Sequence, residues 1–277
     1  MGKARQAAGD GRFHYKKALG QHFLYDEALL QELVSLSGVT QEDGVLEIGP
    51  GSGGMTGLLA EKCRQVTALE LDETLLPILR VSLAAHSNVT VVKGDALRTD
   101  LAELARPLGE RFCVVANIPY YITSPLLEIL LSGKLPIKHM ALLVQKEVAD
   151  KLTAAPGTDG YGMLSVRAQY FCEPRIAKLV PASFFTPPPK VDSAFVVMPV
   201  RGAPPVKVPD EGLFFRVASA AFLMRRKTML NNLQSAFSLT RQQALALLTA
   251  CNLDERVRGE TLTLDAFAAL ACALGSK

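Results

Sequence analysis

Asn117 and Tyr120 bracket the proline-stiffened stretch Asn117-Ile118-Pro119-Tyr120, which sets an amide acceptor beside a flat ring. That pairing suits a planar base carrying an exocyclic amine. A strand-to-helix loop with an incidental Asn and Tyr accounts for the stretch alone equally well. Upstream, Gly49, Gly51 and Gly54 stand at G-x-G-x-x-G spacing in Gly49-Pro-Gly-Ser-Gly-Gly54. Such glycines let backbone and a helix N-terminus approach a ligand, without saying which nucleoside it is. Glu70 follows 21 residues after Gly49, where an acidic residue can accept both hydroxyls of a ribose. Asp95, in Gly94-Asp95-Ala96, is placed to accept a hydrogen bond from an adenine amino group. Either acid alone could be a solvated charge. Two at successive strand ends after a glycine turn make coincidence much harder to sustain.

Two chemistries use a glycine turn with an acid on ribose. A dinucleotide dehydrogenase needs the helix N-terminus for a pyrophosphate, and an acid or base for hydride transfer. An S-adenosylmethionine enzyme needs no phosphate site, but does need an acid on adenine and an acceptor at the fourth strand's end. Asp95 and Asn117 fit the second set. No His or Lys at a comparable position supports the first.

Two further stretches suggest nucleic acid. In Phe184-Phe185-Thr186-Pro-Pro-Pro-Lys190-Val-Asp-Ser193, three prolines hold an extended backbone. Such a segment can hold Phe185 over a base and Lys190 against a phosphate; a connection with one buried Phe is the plainer reading. Arg225-Arg226-Lys227, followed by Asn231-Asn232, sets three cations at a helix boundary, suited to RNA backbone and 2′-hydroxyls. A solvated charge cluster is the usual alternative.

The elements that must position these residues alternate. Strands are expected at Val45–Ile48, Val66–Glu70, Val89–Val92, Phe112–Ala116 and Met140–Gln145. Helices are expected after Asp26 as N-cap, over Met55–Cys63, over Glu73–Ala85 with Pro77 as an early kink, after Ser124-Pro125 as N-cap and first-turn proline, and from Glu147. Apolar Met163–Phe171 and Ser193–Val200 read as a closing strand pair, completing a doubly wound, mainly parallel sheet. Gly202–Pro209 reads as a linker. Beyond it the pattern is helical only, over Glu211–Met224, Thr228–Phe237, Arg241–Cys251 and Leu264–Leu274.

A hydrophobic share of 49% with 21% charged residues describes an ordinary soluble globular chain, and no apolar run approaches a membrane span. The N-terminus lacks a secretory apolar core. Five scattered cysteines without a C-x-x-C pair point to reduced thiols in a cytoplasm, and four histidines without ligand spacing leave no metal site expected. The net charge of +3 hides a balance of +4 in residues 1–25, −5 in 26–200 and +4 in 201–277. Folded onto one side, the two basic ends would make a phosphate-binding rim, whereas scattered solubilising charges would not.

Gly20-Gln-His-Phe23, Glu47-Ile-Gly-Pro-Gly-Ser-Gly53, Glu70, Gly94-Asp95-Ala96, Asn117-Ile-Pro-Tyr120, Phe185-Thr-Pro-Pro-Pro-Lys-Val-Asp-Ser193 and Arg225-Arg226-Lys227 fall in one order across nearly the whole chain. That order resembles the KsgA (RsmA) family of small-subunit ribosomal RNA adenine dimethyltransferases. The resemblance implies a Rossmann-like class I methyltransferase domain, α/β with a mainly parallel sheet and a C-terminal antiparallel strand, followed by a small all-helical domain. The boundaries that follow are a disordered tail over 1–13, the methyltransferase domain over 14–201, a linker over 202–209 and a helical RNA-binding domain over 210–277.

The resemblance also implies S-adenosylmethionine as methyl donor, held by His22, Leu24, Gly49, Gly51, Glu70, Asp95, Ala96 and Asn117. The family often has Asn where this chain has His22. Asn117, Ile118, Pro119, Tyr120 and Phe185 are then the catalytic set, with the Asn117 side-chain oxygen and the Ile118 carbonyl accepting the hydrogens of an adenine N6 amine. Tyr120 and Phe185 stack the base, and Lys190, Arg225, Arg226 and Lys227 bind RNA. The implied substrate is a pair of neighbouring adenosines in the 3′-terminal hairpin of 16S rRNA, within the 30S subunit or its precursor, methylated by a cytoplasmic monomer. Rival readings are a 23S rRNA methyltransferase of the macrolide-resistance type and an assembly or RNA-binding factor with incidental catalysis.

Overall fold

The structure is a computed structural model that describes residues 21–275; the tail over 1–13 and Gly20 lie outside the described residues. In chain order its elements are β1 (Phe23–Leu24), α1 (Glu27–Leu36), β2 (Gly44–Ile48), α2 (Gly54–Lys62), β3 (Gln65–Glu70), α3 (Leu76–Ser82), β4 (Val89–Lys93), α4 (Leu101–Ala105), β5 (Phe112–Asn117), α5 (Thr123–Leu130), β6 (Ile137–Gln145), α6 (Lys146–Thr153), α7 (Met163–Phe171), β7 (Arg175–Val180), β8 (Phe185–Thr186) and β9 (Ser193–Pro199). Four helices complete the chain: α8 (Glu211–Leu223), α9 (Met229–Phe237), α10 (Arg241–Ala250) and α11 (Leu264–Gly275).

The chain divides into two compact units. One runs to Ala149 and resumes over Glu173–Val200; the other joins Asp150–Cys172 to the chain from Arg201 onward. This differs from the boundary expected at 202–209. Tyr161, Val166 and Tyr170 lie in one apolar core with Phe214, Phe215, Leu230 and Leu248, so the segment before β7 belongs with the later helices. The expected linker is no free tether either, since Val206 is buried in that same core.

The first unit holds a seven-stranded sheet in the order β4-β3-β2-β5-β6-β9-β7. The strands from β4 to β6 are parallel, and β9 runs antiparallel to both β6 and β7. Central strands β2 and β5 are buried from end to end but for half-buried Asn117, and are apolar apart from Glu47 and that Asn, as in sheets whose two faces are both covered by helices. All the parallel strands therefore end on one edge, where open sheets of this kind hold ligands. A separate two-stranded ribbon pairs β1 with β8, Leu24 facing Phe185.

Three local expectations are corrected. Met163–Phe171 is a helix, started by a hydrogen bond from the Gly162 N–H to Ser165 Oγ (3.1 Å), and the strand beside β9 is Arg175–Val180 instead. Helix α5 begins at Thr123, not after Ser124, and Ser124-Pro125 occupy its first turn. The helix expected over Glu73–Ala85 is a 3-10 turn at Glu73–Leu75, capped by Asp72, followed by α3 with Pro77 at its start. Asp26 caps α1 as expected, accepting from the Leu29 N–H at 2.8 Å.

Candidate active site

The site grows from four strand ends on one sheet edge. After β2, Gly49 and Gly51 take left-handed backbone (φ 73° and 61°), which excludes β-branched residues and bends the chain away before α2. A Cβ on Gly51 would stand 3.0 Å from the Phe23 ring, so the turn has no room for a side chain there. The Gly51 N–H donates to Glu70 Oε2 (3.2 Å) and the Asp72 N–H to Glu70 Oε1 (2.8 Å), fixing the carboxylate at the end of β3. Burial pushes the Glu70 pKa up, against the pull of those two N–H donors. A carboxylate has about four lone-pair positions, so two remain for further donors. Asp95, after β4, accepts from the Leu97 N–H at 2.9 Å and lies 3.6 Å from the exposed Arg98 guanidinium.

At the end of β5 the turn Asn117–Tyr120 is tied on three sides. Asn117 Nδ2 donates to the His22 carbonyl at 3.1 Å. Because a carbonyl only accepts, this bond fixes the orientation of the amide and leaves Oδ1 as the other arm. The Ile118 N–H donates to the Leu143 carbonyl of β6 (3.1 Å). Ile118 buries its side chain, at 1% exposure, so only its backbone is offered to a ligand. Its carbonyl has no hydrogen-bond partner among the described residues. Tyr120 Oη and Ser193 Oγ, at the start of β9, are 2.7 Å apart, and the His22 ring lies 5.5 Å from the Tyr120 ring. Burial pushes the Tyr120 pKa up, so its hydroxyl keeps its proton at neutral pH.

These strand ends open on one cleft, half open to solvent. His22, Gly49, Gly51, Glu70, Asp95, Ala96, Asn117, Ile118, Pro119 and Tyr120 all line it. Leu24 and Phe185 do not: they face each other across the β1–β8 ribbon and are buried in the sheet core. The expectation of Phe185 over a bound base is not met in this structure. Pairing with β1 turns Phe185 inward to 3% exposure, while neighbouring Phe184 is 39% exposed. The His22 ring is held from the far side, since its Nδ1 lies 2.6 Å from the Pro187 carbonyl and must carry the hydrogen. Lys190 is exposed in the proline segment, and Arg225, Arg226 and Lys227 are exposed after α8, in the second unit.

Sequence reasoning missed Phe23, Leu71 and Tyr121, which also line the cleft. Tyr121, 51% exposed, is raised in pKa by burial and then by the charges of Asp95 and Glu70. Its signal was its place beside Tyr120 in the turn. The cleft carries Glu70 and Asp95, and none of its described lining residues is Lys or Arg. Two acids on one cleft suit a cationic sulfonium with a ribose and a purine, so the residues present fit S-adenosylmethionine. Among the described residues no group of three or more His, Cys, Asp or Glu could hold a metal ion.

Comparison with known proteins shows the family of the chain. The sequence profile of the family described as ribosomal RNA adenine dimethylase matches residues 12–269. The chain is 43% identical to the ribosomal RNA small subunit methyltransferase A of Geobacillus sp. (strain WCH70), covering 99% of this chain and 96% of that one. The protein of the same name from Alkaliphilus oremlandii is 40% identical, over 99% of this chain and 97% of its own. Among solved structures, the 23S rRNA methyltransferase ErmE superposes with a TM-score of 0.72 at 27% identity, covering 91% of this chain and 99% of that one. A dimethyladenosine transferase from Plasmodium falciparum gives a TM-score of 0.77 at 24% identity, covering 90% and 96%, and so shares the fold.

Proposed function

The chain belongs to the ribosomal RNA adenine dimethylase family, and from that premise we propose which RNA it modifies and which residues do the work. It is an S-adenosylmethionine-dependent rRNA adenine dimethyltransferase. Its substrate is the pair of adjacent adenosines in the 3′-terminal hairpin of 16S rRNA, presented in the 30S subunit or a precursor, which links it to small-subunit biogenesis. The share and length of identity with small-subunit methyltransferases, 43% over 99% of the chain, favour this over 23S rRNA. It acts as a monomer in the cytoplasm, where Cys63, Cys113 and Cys172, their pKa values pushed up to about 11 to 12 by burial, stay as thiols.

One observation supports the mechanism: Asn117 and Ile118 stand at the end of β5 and line the same cleft as Glu70 and Asp95. Bound there, S-adenosylmethionine supplies a sulfonium-activated methyl group. Glu70 would accept the ribose hydroxyls and Asp95 the adenine amine of that cofactor, with the Gly49–Gly51 turn as floor. His22 contributes its backbone carbonyl to Asn117, while its ring meets the Pro187 carbonyl and lies beside Tyr120. Leu24 supports from the core.

An adenine N6 lone pair is delocalised into its ring, and a planar amine attacks poorly. Asn117 Oδ1 and the Ile118 carbonyl accept its two hydrogens and favour a tetrahedral nitrogen. The Tyr120 ring, held by Ser193, stacks the target base, at roughly 1–3 kcal/mol per base. Pro119 fixes the step between acceptor and ring. The rate comes from positioning, without a covalent intermediate. As the N–C bond forms, the S–CH₃ bond would break with its electrons kept by the departing thioether, and the extra proton on N6 would then leave to water. No residue is needed as a strong base, and Tyr120, with its raised pKa, is not one. Lys190 and the Arg225-Arg226-Lys227 turn take up RNA phosphates. Transfer of labelled methyl groups to undermethylated 30S particles, with the modified bases mapped, tests the assignment; label on 23S rRNA alone would refute it.

A further inference from the structure

The second unit carries a groove that the methyl-transfer chemistry does not use. It is an open groove between α7, α8 and α9, lined by Arg167, Phe215, Arg216, Leu223 and Phe237. The Arg167 guanidinium lies 4.6 Å from the centre of the Phe215 ring, and the Arg216 guanidinium 5.2 Å from that of Phe237. Neither has a carboxylate partner among the described residues, whereas Arg98, Arg106, Arg241 and Arg258 each do. The acid in the groove, Glu211, is engaged by Tyr170 Oη at 3.4 Å. Two rigid five-donor forks thus lie over aromatic rings with no acceptor bound to them. A guanidinium in that state can grip two oxygens of a phosphate with two parallel bonds.

Geometry extends the site. From Arg216, helix α8 runs seven residues to Leu223, about 10 Å along its axis, and leads directly into the exposed Arg225-Arg226-Lys227 turn. That turn is itself braced, by Arg258 Nη2 on the Arg225 carbonyl (2.7 Å) and by the Lys227 N–H on the Met224 carbonyl (2.8 Å). Groove and turn form one basic track along a single helix.

We propose that this groove is a second contact for the phosphate backbone of structured ribosomal RNA, with Arg167 and Arg216 as its two anchors. The inference rests on the reading that the protein acts on small-subunit rRNA. It adds a site, remote in sequence from the cleft residues, that sets affinity for the RNA and not the rate of chemistry.

The test uses full-length protein with Arg167→Gln and Arg216→Gln together, which keep the side-chain stems while removing the charge. Binding to undermethylated 30S particles and to protein-free 16S rRNA is measured across a salt series. The expected result is about tenfold weaker binding to both and a salt slope shallower by about 1.5–2, as for two lost phosphate contacts. S-adenosylmethionine binding and single-turnover methyl transfer at saturating particles stay unchanged. Arg→Lys at both positions, which keeps charge but loses the planar fork, restores the slope with less of the affinity. If the Gln variant melts early, the Lys variant's slope and affinity decide. An unchanged slope beside a salt-sensitive wild type overturns this inference alone. Weakening on assembled particles but not on bare rRNA overturns it too, in favour of a ribosomal protein as occupant. Wild type that binds neither RNA in a salt-dependent way overturns it together with the assigned substrate.

Discussion

Asn117 Nδ2 donates to the backbone carbonyl of His22 at 3.1 Å, across ninety-five residues of chain, and so dictates which way the amide faces. The bond makes Asn117 Oδ1, the proposed acceptor of the substrate amine, a fixed acceptor instead of a rotor. Asn117→Ala removes that acceptor, and the expected loss in single-turnover methyl transfer is about 10²–10³-fold, as for deletion of one preorganised hydrogen-bonding group in other enzymes. Asn117→Asp should lose as much, because either carboxylate oxygen repels the His22 carbonyl. RNA binding by both variants, followed by filter retention, should match wild type; retained turnover would refute the role.

Ser193 acts through Tyr120. Ser193→Ala frees the Tyr120 hydroxyl, and about a tenfold fall in transfer is expected, smaller than that of Tyr120→Ala, which removes the ring and its roughly 1–3 kcal/mol of stacking. Tyr120→Phe keeps the ring. Its pH–rate profile should follow that of wild type from pH 6 to 9, because the raised pKa of Tyr120 leaves the hydroxyl protonated throughout that range. A rate limb that appears or vanishes in the Phe variant would show the hydroxyl taking part in proton transfer.

On the proposed assignment, Glu70 holds the ribose of the cofactor. In Glu70→Gln one of the two backbone N–H bonds, to Gly51 or Asp72, meets an NH₂ group instead of an acceptor. A hydrogen bond to a charged group contributes about 1.5–3 kcal/mol, so calorimetry should show S-adenosylmethionine binding weakened by about one to two orders of magnitude. Binding at wild-type strength would remove Glu70 from the site.

Glu47 is buried in the middle of the sheet, its Oε2 has no partner among the described residues, and burial, aided by the charge of Glu70, pushes its pKa from 4.5 up to about 7. The folded state therefore holds this proton more tightly than the unfolded chain does. Its contribution to stability is complete below pH 4.5 and is lost as pH rises through 7, for a total of about 3 kcal/mol. Glu47→Gln, neutral throughout, should erase this part of the dependence. Urea unfolding of both proteins at pH 5 and pH 8 measures it: the variant gains on wild type at pH 8, and parallel behaviour at the two pH values would contradict the assignment.

Phe185→Ala should cost about 3–5 kcal/mol in unfolding free energy, as for a large aromatic removed from a packed core. Thermal unfolding with and without S-adenosylmethionine separates this from a substrate contact, since the protection given by cofactor should survive. A stable variant with weak substrate binding would return Phe185 to the cleft.

The strand ends were legible because parallel strands buried on both faces leave apolar runs that stop abruptly at polar residues: Ile48 before Gly49, Ala116 before Asn117. Glu70 and Asp95 gained meaning from that register. The failures share another cause. Met163–Phe171 is apolar enough for a strand, and only the Gly162 and Ser165 pair marks it as a helix start. β7 carries Arg175 and Lys178 and a bulge between Ile176 and Lys178, so its alternation is broken where a reader would count it. Phe184 and Phe185 differ only by one step in a pairing with β1 that no local pattern announces.

The β1–β8 ribbon joins residues far apart in the chain, and the His22 ring meets the Pro187 carbonyl across 165 positions. Tyr120 likewise waits for Ser193. During synthesis, which proceeds from the N-terminus, every cofactor-facing residue leaves the ribosome before the segment that steadies the base-stacking ring. A chain halted before residue 193 would lack the hydroxyl that meets Tyr120. On the proposed roles, competence to methylate would be deferred to a late stage of the enzyme's own translation.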